Sequence, residues 1–108
     1  LEAGDRKNRR RSREEVLGEI IRAASKGTIK TRIMYKAALN SRQLKRYLQM
    51  LMKQGLISYN EESKLYTATE TGNLYLERLD EFLRAKNQLF NQSKALKDLL
   101  KPGSEQSV

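Results

Sequence analysis

Nine lysine and arginine residues lie between Glu19 and Glu61 with no aspartate or glutamate among them: Arg22, Lys26, Lys30, Arg32, Lys36, Arg42, Lys45, Arg46 and Lys53. An ordinary solvated surface interleaves both signs. An acid-free run of this length instead builds a positive field, whose commonest target is phosphate. Within the run, Arg42, Lys45, Arg46 and Gln49 recur at helical spacing and share one face. Arg and Lys donate to phosphate oxygens and to guanine O6 and N7, and a Gln amide matches the adenine edge. Such residues capture a polyanion; they do not make or break bonds.

The rest of the composition narrows the classes further. The chain has no Cys and no His, which excludes disulfides, thiolate nucleophiles, Cys/His zinc sites and imidazole acid–base catalysis. No paired carboxylates flank a plausible cleft, and the glycines read as helix stops and turn formers, with no G-x-x-x-x-G-K loop. The expectation is a binding protein, not an enzyme, with no cofactor, no metal and no small-molecule substrate. Apolar runs are too short to span a membrane, and no apolar h-region follows the basic N-terminus. These features and the absence of Cys suit a cytoplasmic, nucleoid-associated protein. A length of 108 residues, 38% hydrophobic, supports one small core.

The net charge of +9 is uneven: residues 1–13 carry +4, residues 14–69 carry +5, and residues 70–108 are neutral. Residues 1–11 have almost no apolar content and read as a basic disordered arm, with Arg9, Arg10 and Arg11 as loose phosphate contacts. Ser12 with Glu15 forms a capping box that opens a first helix with an apolar stripe of Val16, Leu17, Ile20, Ile21 and Ala24, stopped at Gly27. A short second helix covers Lys30 to Ala37. A third starts with the Asn40–Gln43 capping box and the Leu39–Leu44 hydrophobic staple, buries Leu44, Tyr47, Leu48, Leu51 and Met52, and ends at Gly55. Leu56–Tyr59 and Leu65–Ala68 then read as a hairpin with a polar tip.

Thr69 caps a long final helix. Tyr75, Leu79, Phe82, Lys86, Leu89, Ser93, Leu96 and Leu100 alternate in steps of four and three, with Leu76, Leu83 and Phe90 on one flank. No Gly or Pro interrupts residues 73–101 before Pro102-Gly103 closes the helix. At 1.5 Å per residue it would run roughly 46 Å, beyond the reach of so small a body. Its outer half, from Phe82 onward, calls for a second copy. The fold class is therefore mainly α with a small β-hairpin: a winged helix-turn-helix at 12–72, a coiled-coil dimerisation helix at 73–101 and a fraying tail at 102–108.

Lys30-Thr31-Arg32-Ile33-Met34-Tyr35 and Arg46-Tyr47-Leu48-Gln49-Met50-Leu51-Met52 closely resemble the small archaeal winged-helix DNA-binding proteins of the ten-kilodalton chromatin class. Tyr66-Thr67-Ala68-Thr69-Glu70-Thr71-Gly72 is similar to the strand-to-helix junction of that family. The resemblance covers roughly residues 13 to 100. It implies an antiparallel coiled-coil homodimer that holds two winged-helix domains apart and binds double-stranded DNA. The chain departs from the pattern at its Arg-rich arm and at Lys86 and Ser93 in the seam.

On this reading, the third helix enters the major groove with Arg42, Lys45, Arg46 and Gln49, and Lys30 and Arg32 touch backbone phosphates. At the wing, Glu61 and Glu62 repel phosphate, leaving Lys64 to approach it. Tyr35 is compatible with either packing inside or directing its hydroxyl at a phosphate. Tyr75, Leu79, Phe82, Leu83, Lys86, Leu89, Phe90, Ser93, Leu96 and Leu100 form the dimer interface. The same chemistry serves a sequence-specific transcriptional regulator and a low-specificity chromatin protein. A winged-helix protein–protein module within a larger assembly is the alternative, disfavoured by the +9 charge.

Overall fold

A computed structural model describes residues 11–100. The elements run α1 (Arg13–Ala23), α2 (Lys30–Ala37), α3 (Ser41–Lys53), β1 (Ile57–Asn60), β2 (Leu65–Ala68) and α4 (Glu70–Leu99). Arg9, Arg10 and residues 102–108, expected to form part of the arm and the tail, lie outside the described residues.

Short-range side-chain chemistry sets the helix starts. Ser12 Oγ accepts from the Glu15 N–H at 3.2 Å while the Ser12 N–H donates to Glu15 Oε1 at 2.8 Å. At α3 the Gln43 N–H donates to Asn40 Oδ1 at 2.8 Å, and the Asn40 N–H to Gln43 Oε1 at 3.0 Å. Each box satisfies two donors that a helix N-terminus would otherwise leave unpaired. Helix α3 ends in a Schellman arrangement: Gly55 takes φ +81, its N–H donates to the Met52 carbonyl, and Leu56 N–H donates to the Leu51 carbonyl.

Helix α2 ends the same way on a less suitable residue. Ala38 adopts φ 55, its N–H donates to the Tyr35 carbonyl, and Leu39 N–H reaches the Met34 carbonyl. A Cβ in this left-handed conformation is crowded by the backbone. Ala38→Gly is therefore expected to raise stability by about 0.5–1 kcal/mol, after the entropy that glycine loses on folding. Thermal denaturation checks it; an unchanged or lowered midpoint would contradict this account of the turn.

Ile20, Ile21, Ile33, Leu44, Leu51 and Ile57 are fully buried and join all three short helices and β1 into one core. The hairpin pairs antiparallel with Ile57 opposite Ala68 and Asn60 opposite Leu65. Asn60 belongs to the strand, not the turn, and its Oδ1 gathers the N–H groups of Glu62 and Ser63. Thr28, between α1 and α2, adds a bridge to the outer side of β2: its N–H donates to the Tyr66 carbonyl at 2.9 Å and Tyr66 returns the bond at 2.8 Å. This anchors the hairpin to the loop that leads into α2.

Two glycines, expected to be helix stops or turn formers, do something else. Gly18 lies within α1 and Gly72 within the first turn of α4. A Cβ on Gly18 would overlap the Leu79 side chain, and one on Gly72 would overlap the Leu56 carbonyl oxygen. Their bare backbones let α4 lie close to α1 and to the start of the hairpin. Because a carbonyl cannot swing aside as a side chain can, Gly72→Ala is expected to cost about 1–3 kcal/mol. A fall in the chemical denaturation midpoint measures this, and an unchanged midpoint would refute the close approach.

Only the first half of α4 is docked. Thr69 caps it by accepting from the Gly72 N–H at 3.0 Å. Leu79 is buried, Tyr75, Leu76 and Leu83 are half-buried, and every residue from Arg84 to Leu100 is exposed. Leu79 therefore belongs to its own domain's packing rather than to a free seam, because Gly18 opens the space that receives it. Tyr75 is also committed locally: its hydroxyl donates to the Glu14 carbonyl oxygen at 3.0 Å. Burial, and secondly the Glu14 charge, raise the Tyr75 phenol above its ordinary value, with Arg13 partly opposing, so it remains a donor at neutral pH.

Candidate nucleic-acid interface

Helix α3 divides cleanly. Leu44, Leu48 and Leu51 point into the core, while Arg42, Lys45, Arg46 and Gln49 are exposed on the opposite face. Among the described residues, no ion pair engages Arg42, Lys45 or Arg46. Three uncompensated cations on a helix capped at both ends form a rigid donor surface of one sign, suited to a groove lined by phosphates. Tyr47 is half-buried against the core, and Met52 is partly exposed at the far end of the helix.

Lys30 and Arg32 are exposed in the first turn of α2, and Tyr35 is 86% exposed, which resolves its orientation: it packs nowhere. At the wing, Glu61, Glu62 and Lys64 are all exposed. Lys64 holds a left-handed φ of +64, and its N–H donates to the Asn60 carbonyl at 2.7 Å. Tyr59 and Tyr66 meet across the hairpin with ring centroids 4.5 Å apart, one pair from the turn, which stiffens its outer end.

The structure changes two assignments near the N-terminus. Arg11 is not a free arm residue: its guanidinium is an ion-pair partner of the Glu19 carboxylate and donates to the Ala37 carbonyl oxygen at 2.6 Å. Its side chain is only 6% exposed, so it ties α1 to the end of α2 and is not presented to an external phosphate. Arg13, not singled out from the sequence, is exposed beside α3, with Nη2 3.4 Å from Met50 Sδ. Together with Arg46, Tyr47 and Met50 it lines a recess of about 230 Å³. Its position seven residues into a basic run was the available signal, but only tertiary packing places it on the α3 side.

The dimer residues expected from the sequence separate into two groups. Tyr75, Leu79 and Leu83 pack wholly or partly against their own domain, whereas Phe82, Lys86, Leu89, Phe90, Ser93, Leu96 and Leu100 are exposed along α4. Lys86 presents its ammonium to solvent, as a long side chain at a helix interface can do while its stem lies on apolar neighbours.

Two helices joined by a short turn, α2 and the outward-facing cationic α3, followed by a two-stranded wing define a winged helix-turn-helix. Residues 10–87 match the family described as winged helix-turn-helix. An uncharacterized protein of Methanocaldococcus jannaschii, MJ0287, is 38% identical over 84 residues, covering 75% of this chain and 84% of that protein. The crystal structure of Sso10a-2, a DNA-binding protein from Sulfolobus solfataricus, aligns with a TM-score of 0.78 at 27% identity, covering 84% of this chain and 98% of that one. The chain belongs to the winged helix-turn-helix family. Among the described residues no helix is long and apolar enough to cross a membrane.

Proposed function

We propose that this protein binds double-stranded DNA as a homodimer, as a chromatin-associated protein or transcriptional regulator in the cytoplasm, associated with the nucleoid. The observation that carries this reading is the α3 face: three exposed cations and a glutamine, with no carboxylate partner among the described residues. The mechanism is binding rather than turnover. Helix α3 lies in the major groove, with Arg42, Lys45, Arg46 and Gln49 at base edges and adjacent phosphates. Lys30 and Arg32 set position on the backbone, Lys64 supplies the wing's one cation, and Arg9 and Arg10 add loose phosphate attraction. The similarity to Sso10a-2 supports the same reading.

The homodimer rests on α4. Phe82, Leu89, Phe90 and Leu96 are 54–67% exposed on a helix that continues past the domain. Together they form an apolar stripe of the kind monomers avoid exposing. An antiparallel pair covers the stripe and keeps the two basic domains apart, whereas a parallel pair would bring like charges together.

Fluorescence anisotropy with a labelled random duplex tests the function. Binding is expected at micromolar concentration or tighter in low salt, with log K falling linearly and steeply as log salt rises. No binding at low salt, or an affinity indifferent to salt, would overturn the proposal. Repeating the measurement with genomic fragments separates the two biological roles: a regulator prefers a few fragments strongly, and a chromatin protein binds all of them alike.

A further inference from the structure

A second cationic surface lies away from α3. The last turn of α1, the Gly27 loop, the outward side of α2 and the start of β2 enclose an open groove of about 460 Å³. Arg22, Lys26, Arg32 and Lys36 line it, no carboxylate does, and no residue of α3 takes part. Ile29 and Leu65 add apolar surface to its lining. Arg22 also lies 3.3 Å from Asp80, an exposed pair that occupies one of its guanidinium nitrogens. Lys26, Arg32 and Lys36 have no ion pair among the described residues.

Four cations from three segments held at one groove repel one another unless an anion lies among them. Their charge is compatible with a ligand bearing several phosphates in a row, and the open shape with a chain passing through rather than a small molecule enclosed. In a helix-turn-helix the first helix of the pair crosses the backbone of the duplex whose groove the second helix enters. Here that first helix is α2, and Arg32 is shared between its exposed first turn and the groove.

We propose that this groove is a second, sequence-independent binding site for the sugar–phosphate backbone of the bound duplex, with Lys26 and Lys36 as its principal new contacts and Arg22 as an auxiliary one. The inference rests on the DNA-binding reading above and extends the footprint from α3 around α2 to the end of α1. It separates two tasks: α3 carries whatever base preference exists, and the groove contributes affinity that is blind to sequence.

The test compares three forms of the full chain on one random duplex across a salt series. Lys26→Gln with Lys36→Gln removes two groove charges. Arg84→Gln with Lys94→Gln removes two charges from exposed positions on α4. Each phosphate contact contributes about 0.9 to the slope of log K against log salt. The groove variant is therefore expected to lose about 1.8 from the slope per bound domain, so its affinity falls about 12-fold less than the native protein's between 50 and 200 mM salt. Its preference among duplex sequences should be unchanged, and far-UV circular dichroism should match the native spectrum. The α4 variant should keep the native slope. Equal losses in the two variants, or a native slope in the groove variant, would overturn the groove proposal while native binding leaves the function standing. Failure of the native protein to bind would overturn both.

Discussion

Leu89→Glu combined with Leu96→Glu is expected to turn the protein into a monomer that keeps its winged-helix domain and binds DNA far more weakly. Both side chains lie on α4 beyond Leu83, the last residue the domain partly covers, and they are 67% and 65% exposed. Burying each of Phe82, Leu89, Phe90 and Leu96 against a second copy contributes roughly 1.5–3 kcal/mol. That sum exceeds the lower estimates of the cost of association. Four carboxylates per dimer placed in the same seam remove half of that burial and add desolvation and like-charge repulsion. Sedimentation equilibrium should show a dimer for the native protein at micromolar concentration and a monomer for the variant. Because two linked domains gain from effective concentration, the variant should lose roughly 10²–10⁴-fold in DNA affinity. A native protein that sediments as a clean monomer well above micromolar concentration would refute the role given to α4. A stable complex only with a second protein would favour the protein–protein module instead.

The second large effect concerns α3. Arg42→Ala with Arg46→Ala deletes two of its four exposed cations, leaving Lys45 and Lys53, without touching Leu44, Leu48 or Leu51 beneath them. If each arginine contributes roughly 1–3 kcal/mol at a base edge, affinity should fall by roughly two orders of magnitude or more. Thermal stability should hold, because neither side chain has an ion pair among the described residues. Losing the fold instead of the affinity would mean that the helix faces had been assigned the wrong way round.

Much of this arrangement is legible in the sequence because its causes are local. The Asn40–Gln43 box closes within four residues, the Leu44, Leu48, Leu51 stripe repeats every turn, and Gly55 marks its own helix end. Arg42, Lys45, Arg46 and Gln49 of α3 are outward simply because the leucines are inward. Features set by contacts across the fold are not legible in this way. Arg11 reads as part of a solvated arm, yet its partners are eight and 26 residues away. Leu79 reads as a seam position until the missing side chain of Gly18 admits it to the core. The left-handed Ala38 carries no glycine to announce it, and the Thr28 bridge to Tyr66 joins residues that no short-range pattern connects. The charged groove at α1 and α2 is hidden for the same reason: its cations are plain in the sequence, but their convergence is tertiary.

The most direct test of the central claim is a chemical-shift footprint. Nitrogen-15-labelled protein titrated with a random duplex at low salt should show its largest backbone and side-chain changes at Arg42, Lys45, Arg46 and Gln49, with smaller ones at Lys30 and Arg32. Residues 84–100 of α4 should remain nearly still. Changes concentrated on α4, with α3 undisturbed at saturating duplex, would contradict the account.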